Sequence, residues 1–177
     1  QSNAETFHTV TAEYFADCSG DSILAPLTGA LYRYGREAKS EFGETIPPDT
    51  ADKKTMGMSC LIQGRETNRP VKYTAPSFSM KLSDEDFKYR NPDIYSNYEN
   101  FWYLELGGNK DVIHDTEEIS EDLISLATGT WDYIKNSGKY QAKNWELEFL
   151  GFLPGKRESR RMVGEYTITE KDISKNK

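Results

Sequence analysis

Three guanidinium groups fall within five residues in the segment Pro154-Gly155-Lys156-Arg157-Glu158-Ser159-Arg160-Arg161. Before it runs the apolar stretch from Trp145 to Leu153, and after it the strand-like stretch from Met162 to Thr169. A guanidinium offers a planar fork of N–H donors that matches a carboxylate or phosphate in bidentate fashion. In extended backbone, Arg157, Ser159 and Arg161 share one face, with Glu158 and Arg160 on the other. Glu158 would then neutralise Arg160, leaving Arg157 and Arg161 as a clamp on an anion. The alternative is a hairpin loop whose arginines simply face water, as charge runs commonly do.

A second segment with chemical potential is Phe15-Ala16-Asp17-Cys18-Ser19-Gly20-Asp21, which reads as a strand, a glycine turn and a helix start. Free N–H groups and the positive end of a helix suit an anion there, while a plain capped turn has the same pattern. Other motifs fail on spacing. Gly151 to Lys156 has three residues between its glycines where a phosphate loop needs four, and Arg157 stands where Ser or Thr should be. Gly57-Met58-Ser59-Cys60-Leu61 lacks the second glycine of a hydrolase elbow. No Gly-x-Gly-x-x-Gly fingerprint occurs. His8 and His114 have no second ligand at metal spacing, so no metal site is expected. Cys18 and Cys60 both lie in apolar runs and read as buried free thiols.

The chain has 177 residues and a net charge of −7. That length suits one packed domain. The acidic balance argues against a nucleic-acid partner, which would call for a basic face, and no apolar run reaches membrane-span length. No secretory leader is visible, so the cytoplasm is the default expectation. Gln1-Ser2-Asn3-Ala4 reads as the remnant of a cleavable tag.

The elements that must position these residues follow from periodicity. Phe7 to Asp17 alternates as a strand. Ile23 to Tyr34 reads as a helix, capped by Asp21 or Ser22 and stopped at Gly35. Gly43 to Lys54 reads as a loop. Thr55 to Gln63 alternates as a strand, Val71 to Thr74 as a short edge strand between prolines, and Phe101 to Leu106 as another strand. The best helix starts at Asp115, with Glu118 completing a capping box, and carries the stripe Ile119, Leu123, Leu126, Ala127, Trp131 and Ile134 up to Gly138. Trp145 to Leu153 and Val163 to Thr169 supply the last strands, and Thr169-Glu170-Lys171-Asp172 begins a further helix. The pattern predicts an α+β fold, with a mainly antiparallel β-sheet and one long helix packed on it.

Four segments carry a family resemblance: Asp17-Cys18-Ser19-Gly20-Asp21-Ser22, Gly35-Arg36-Glu37-Ala38, Trp131-Asp132-Tyr133-Ile134-Lys135-Asn136 and Pro154 through Arg161. Together they resemble bacterial FAD-dependent oxidoreductases from about Phe15 to Ile173. The first motif departs from the family pattern, with Ser19 for Thr and Ser22 for Gly. The resemblance implies an excised middle section. Residues 1–4 are then the tag remnant and 5–43 a strand–turn–helix remnant of the FAD-binding domain. Residues 44–173 form a substrate-side α+β domain, and 174–177 a truncated tail. It further implies Arg157, Arg160 and Arg161 as catalytic residues, and Ser19, Gly20, Asp21, Glu158 and Ser159 as cofactor-binding ones. FAD would be the cofactor of the whole parent protein and absent from this fragment, which is expected to be inactive alone. The implied partners are a small, acidic substrate and the rest of the FAD-binding domain. A non-catalytic domain that binds an anion through the same arginines, and a purely structural module, are the competing readings.

Overall fold

The protein is described by a computed structural model covering residues 6–93 and 100–175. In chain order the elements are α1 (Leu24–Thr28), β1 (Tyr32–Tyr34), α2 (Lys39–Phe42), β2 (Met58–Glu66), β3 (Asn100–Leu106), α3 (Thr116–Asn136), β4 (Trp145–Leu150), β5 (Gly155–Lys156), β6 (Arg160–Met162) and α4 (Glu170–Lys175). A 3₁₀ turn lies at Asp84–Phe87.

The fold is α+β. β2 is the centre of an antiparallel sheet: β3 pairs along one side, and β4 followed by β5 along the other. Alternation decides which face of β2 is covered. Met58, Cys60, Ile62 and Gly64 are buried, while Ser59, Leu61 and Gln63 between them are partly open. The buried face meets the α3 stripe, where Ile119, Leu123, Ala127, Trp131 and Ile134 are all closed off from solvent. Gly64 is needed at this contact, since a Cβ there would stand 2.8 Å from the Trp131 ring. Trp145, Leu104 and Val112 complete the core. Burying a full aliphatic or aromatic side chain is worth roughly 1.5–3 kcal/mol, so this helix–sheet contact dominates the stability of the fold.

A second, smaller sheet joins distant parts of the chain. β1 pairs antiparallel with β6, setting Tyr32 opposite Met162 and Tyr34 opposite Arg160. Further along, the Glu170 carboxylate at the start of α4 accepts hydrogen bonds from the Thr45 amide at 2.7 Å and from the Thr45 hydroxyl. The C-terminal part of the chain thus returns first to β1 and then to the loop after α2. Among the described residues, no helix is long and apolar enough to cross a membrane.

Several expectations from the sequence need correction. Phe7 to Asp17 forms no strand, because none of its backbone groups finds a ladder partner among the described residues; its apolar side chains Phe7, Val10, Tyr14 and Phe15 are exposed. The helix expected from Ile23 to Tyr34 stops at Thr28, where Gly29 adopts the left-handed conformation with φ 79°, a C-cap that glycine takes without steric cost. Val71 to Thr74 makes no ladder among the described residues; the Val71 amide donates to the Lys143 carbonyl at 3.0 Å, and the Asn136 side chain donates to the Tyr73 carbonyl at 3.3 Å. The last strand falls on Arg160–Met162 and not on Val163 to Thr169, because the partner strand runs out after the bond from Val163 N to Leu31 O. Asp115 precedes α3 as expected but does not cap it through its side chain; its carboxylate accepts from the Asp111 amide at 3.0 Å. Glu118, the other half of that capping box, pairs with Lys110. Cys60 is buried, whereas Cys18 is exposed.

Candidate functional site

The two segments singled out for their chemistry lie against each other. Asp21 follows Gly20, whose φ of 80° turns the chain tightly, and precedes Ser22 at φ 47°. This kinked turn points the Asp21 side chain inward, where only 8% of the residue stays exposed. Its carboxylate accepts a hydrogen bond from the Ser159 hydroxyl at 2.7 Å and meets the Lys156 ammonium at 2.5 Å. The Asp21 carbonyl accepts from Arg160 Nε at 2.8 Å, and the Ser22 hydroxyl donates to the Arg160 carbonyl at 3.1 Å. Four polar contacts thus join segments more than 130 positions apart. An acid buried to this degree requires partners of this kind, since an unpaired buried charge is heavily penalised.

Each arginine has a distinct setting. Arg160 lies over the Tyr32 ring with its guanidinium carbon 5.7 Å from the ring centroid, a cation–π arrangement. Arg161 donates to the Gly35 carbonyl at 2.5 Å and pairs with Glu37 at 3.0 Å. Arg157 is exposed and pairs loosely with Glu158 at 3.8 Å. The expected clamp is therefore corrected. Glu158 lies loosely beside Arg157 and not Arg160, and Arg161 is committed to the Gly35-Arg36-Glu37 segment. The backbone is not one extended strand here, because β5 ends at Lys156 and β6 begins at Arg160. Ser159 is buried between them at 2% exposure.

The anion-binding turn is corrected as well. The Leu24 amide donates to Asp17 Oδ2 at 2.8 Å, and the Ile23 amide donates to the Ser19 hydroxyl at 3.1 Å. The Ser19 hydroxyl and amide in turn donate to Asp17 Oδ1, at 2.6 and 2.9 Å. These bonds, the Ser19 hydroxyl foremost, hold the Asp17 carboxyl below its ordinary pKa. The N–H groups expected to be free at the start of α1 are thus already satisfied by side chains, and the capping residues are Asp17 and Ser19 in place of Asp21 or Ser22. Gly20 stands clear, with nothing within 4 Å of a Cβ added to it.

Of the residues singled out beforehand, Asp21, Ser159 and Arg160 come together in one cluster. Ser19 turns toward Asp17, Arg161 toward Glu37, and Arg157 with Glu158 projects at the surface. Sequence reasoning missed Lys156 as the ion-pair partner of Asp21, and Asp17 as the cap of α1. Arg36 was named only within the Gly35-Arg36-Glu37-Ala38 motif, and its pairing with Asp52 across an isolated backbone bridge was missed. That pairing pulls the Asp52 carboxyl down to about 2. A run of cations gives no sign of which member turns inward, so Lys156 had no distinguishing mark. The quoted motif that begins at Asp17 was the available signal for the cap.

Among families of known proteins, the chain matches the family described as FAD dependent oxidoreductase over residues 1–177. No curated protein and no solved structure matches it.

Proposed function

The chain belongs to the FAD dependent oxidoreductase family, and from that premise we propose that it is the substrate-side section of such an enzyme together with one edge of its flavin site. The observation that carries this reading is the meeting of three motif segments, Asp17 to Ser22, Gly35 to Glu37 and Lys156 to Arg161, through Asp21, Ser159 and Arg161. Such a meeting of residues scattered over the sequence is the arrangement that one shared ligand site would require.

The donor chemistry fits the redox end of a flavin and not its phosphates. The amides that begin α1 are taken by Asp17 and Ser19, and the Asp17 carboxylate would repel a phosphate at that position. Exposed Arg157, held near the cluster by its neighbours Lys156 and Ser159, supplies a cation with unspent N–H donors. FAD, when bound, accepts a hydride, and fixed cationic groups stabilise the negative charge this leaves. In this reading Arg157 acts on that charge or on an acidic substrate, and Arg160 and Arg161 hold the segment that presents it. Ser19, Gly20, Asp21, Glu158 and Ser159 form the cofactor-facing edge, with open Gly20 giving close approach.

The rest of a FAD-binding domain is the proposed partner. The exposed Phe7, Val10, Tyr14 and Phe15 support this, because four large apolar side chains left open within nine residues are a candidate contact segment. The test is flavin content. The parent protein is expected to purify with flavin at stoichiometric level, and the chain alone without it. A parent devoid of flavin would overturn the reading, and a chain that holds flavin by itself would overturn its division of labour.

A further inference from the structure

Beside the Asp21–Ser159 cluster lies a cleft of about 710 Å³, bounded on one side by Gly35, Arg36 and the Glu158–Arg161 segment and on the other by Lys54 to Met56 and the turn after β3. We infer that this cleft binds a small monocarboxylate that also carries a hydrogen-bond donor; its assignment as the substrate site of the enzyme rests on the function proposed above.

The walls are rigidly built. A Cβ at Gly35 would stand 2.1 Å from the Asp52 carbonyl oxygen, and one at Gly57 would stand 2.5 Å from that of Leu106. The Thr55 amide donates to the Gly108 carbonyl at 2.9 Å, and Arg36 and Asp52 exchange backbone bonds of 2.9 and 3.1 Å. Only glycine allows main chains this close, so tightly packed backbone fixes the base on which the side chains of the cleft stand.

The charges set the class of ligand. Arg36 and Arg161 are balanced by Asp52 and Glu37. Each guanidinium has five N–H donors, and those carboxylates engage only part of them, so both arginines offer hydrogen bonds without net charge. Lys54 forms no ion pair among the described residues, although its field helps to lower the Asp52 pKa. It is the cation left to balance a ligand. Glu105 and Glu158 also border the cleft, each in a loose pair at 3.8 Å, with Arg90 and Arg157 respectively. Two carboxylates in the wall disfavour a dianion and accept hydrogen bonds from a hydroxyl or amine. One negative charge and one donor is the combination that satisfies both sides.

The test uses the chain itself and three probes: glycolate, its neutral isostere glycolamide, and inorganic phosphate at pH 8. Amide shifts in nitrogen-15 spectra of Gly35, Gly108 and Asn109 are expected to saturate with glycolate at a Kd of about 1–10 mM, the range open to so small a ligand. Glycolamide should leave them in place, and phosphate should bind more weakly than glycolate. Lys54→Met should weaken glycolate about fivefold, the loss of one exposed charge pair, and Lys72→Met should leave it unchanged. Lys54 is exposed, and the same spectra report whether each variant is folded. No saturable shift with glycolate, equal shifts with glycolamide, tighter binding of phosphate, or an unaffected Lys54→Met would each overturn the inference. Flavin content of the parent tests the proposed function separately, so the two can fail independently.

Discussion

Ser159 donates a hydrogen bond of 2.7 Å to the Asp21 carboxylate, both residues being more than nine-tenths buried and 138 positions apart. This bond and the Lys156 ion pair tie the glycine turn to the arginine segment. Asp21→Ala leaves the Ser159 hydroxyl without its acceptor and Lys156 without its anion, and should lower stability by about 2–3 kcal/mol. Asp21→Asn keeps an acceptor for Ser159 and should cost about half as much. The midpoint of urea unfolding measures both, and the double variant Asp21→Ala/Ser159→Ala should cost less than the sum of its parts. Strict additivity would mean that the two side chains do not interact.

Arg161 and Arg157 should separate in a stability assay. Arg161→Ala removes a bond to the Gly35 carbonyl and a pair with Glu37 that is partly exposed, an expected loss of about 1 kcal/mol. Arg157→Ala should leave the midpoint unmoved, because its contact with Glu158 is long and exposed. If the chain belongs to a larger flavoenzyme as proposed, the order should reverse for chemistry there: Arg157→Ala is expected to slow reduction of the flavin by about 10²-fold. Unchanged flavin reduction in that variant would remove Arg157 from the proposed site.

The parts of this fold that could be read in the sequence are those where periodicity and burial coincide. The α3 stripe and the alternation from Met58 to Ile62 each bury one face against the other, so pattern and structure agree. Where an element depends on a remote partner, local pattern fails. Phe7 to Asp17 alternates well but has no neighbour to pair with among the described residues, whereas Arg160–Met162 looks like a charge run and forms a strand because Tyr32–Tyr34 receives it. The candidate site shows the same division. The residue types in the two segments marked them as chemical, but what each arginine meets was decided by Tyr32 for Arg160 and Glu37 for Arg161, far away in sequence.

The two cysteines should react at very different rates. Cys18 is exposed, while Cys60 is buried, donates to the Gly151 carbonyl at 3.0 Å, and has its thiol pKa pushed up to about 11 by burial. Only the thiolate is nucleophilic. In the native chain at pH 8, one equivalent of a thiol reagent should be consumed quickly at Cys18, and Cys60 should react only on unfolding. Mass mapping that finds fast labelling at Cys60 would contradict its place in the core.

Acid should weaken the region around α1, β1 and the loop after α2. Hydrogen bonds from Arg36 hold Asp52 at about 2 against its ordinary 3.8, and Glu170 is lowered from 4.5 by the Thr45 hydroxyl and amide. Asp17 is lowered in the same sense. The folded chain therefore binds fewer protons than the unfolded chain in this range. The stability these acids contribute is fully present above their unfolded values and is lost as pH falls through the folded ones. Unfolding midpoints should decline from about pH 4.5 toward pH 2, and Asp52→Asn should be less stable than wild type at pH 7, with the gap closing across that window. A gap that stays constant down to pH 2 would exclude a contribution from Asp52.

Gly129 in the middle of α3 is expected to be the least replaceable glycine of the core. A Cβ at this position would stand 2.2 Å from the Met80 carbonyl oxygen, and backbone cannot swing aside as a side-chain tip can. The 78–80 segment lies on the helix through bonds from Met80 N to Ser125 O at 3.1 Å, Ser125 Oγ to Phe78 O at 2.7 Å, and Ser79 Oγ to Thr128 Oγ1 at 2.8 Å. Alanine gains about 1 kcal/mol in helix propensity, but overpacking costs about 1–3 kcal/mol and the displaced bonds add about 1 kcal/mol each. The packing cost is the larger, so Gly129→Ala should destabilise the chain by about 2–4 kcal/mol while keeping its helical circular dichroism. A neutral or stabilising Gly129→Ala would show that this segment does not rest on α3.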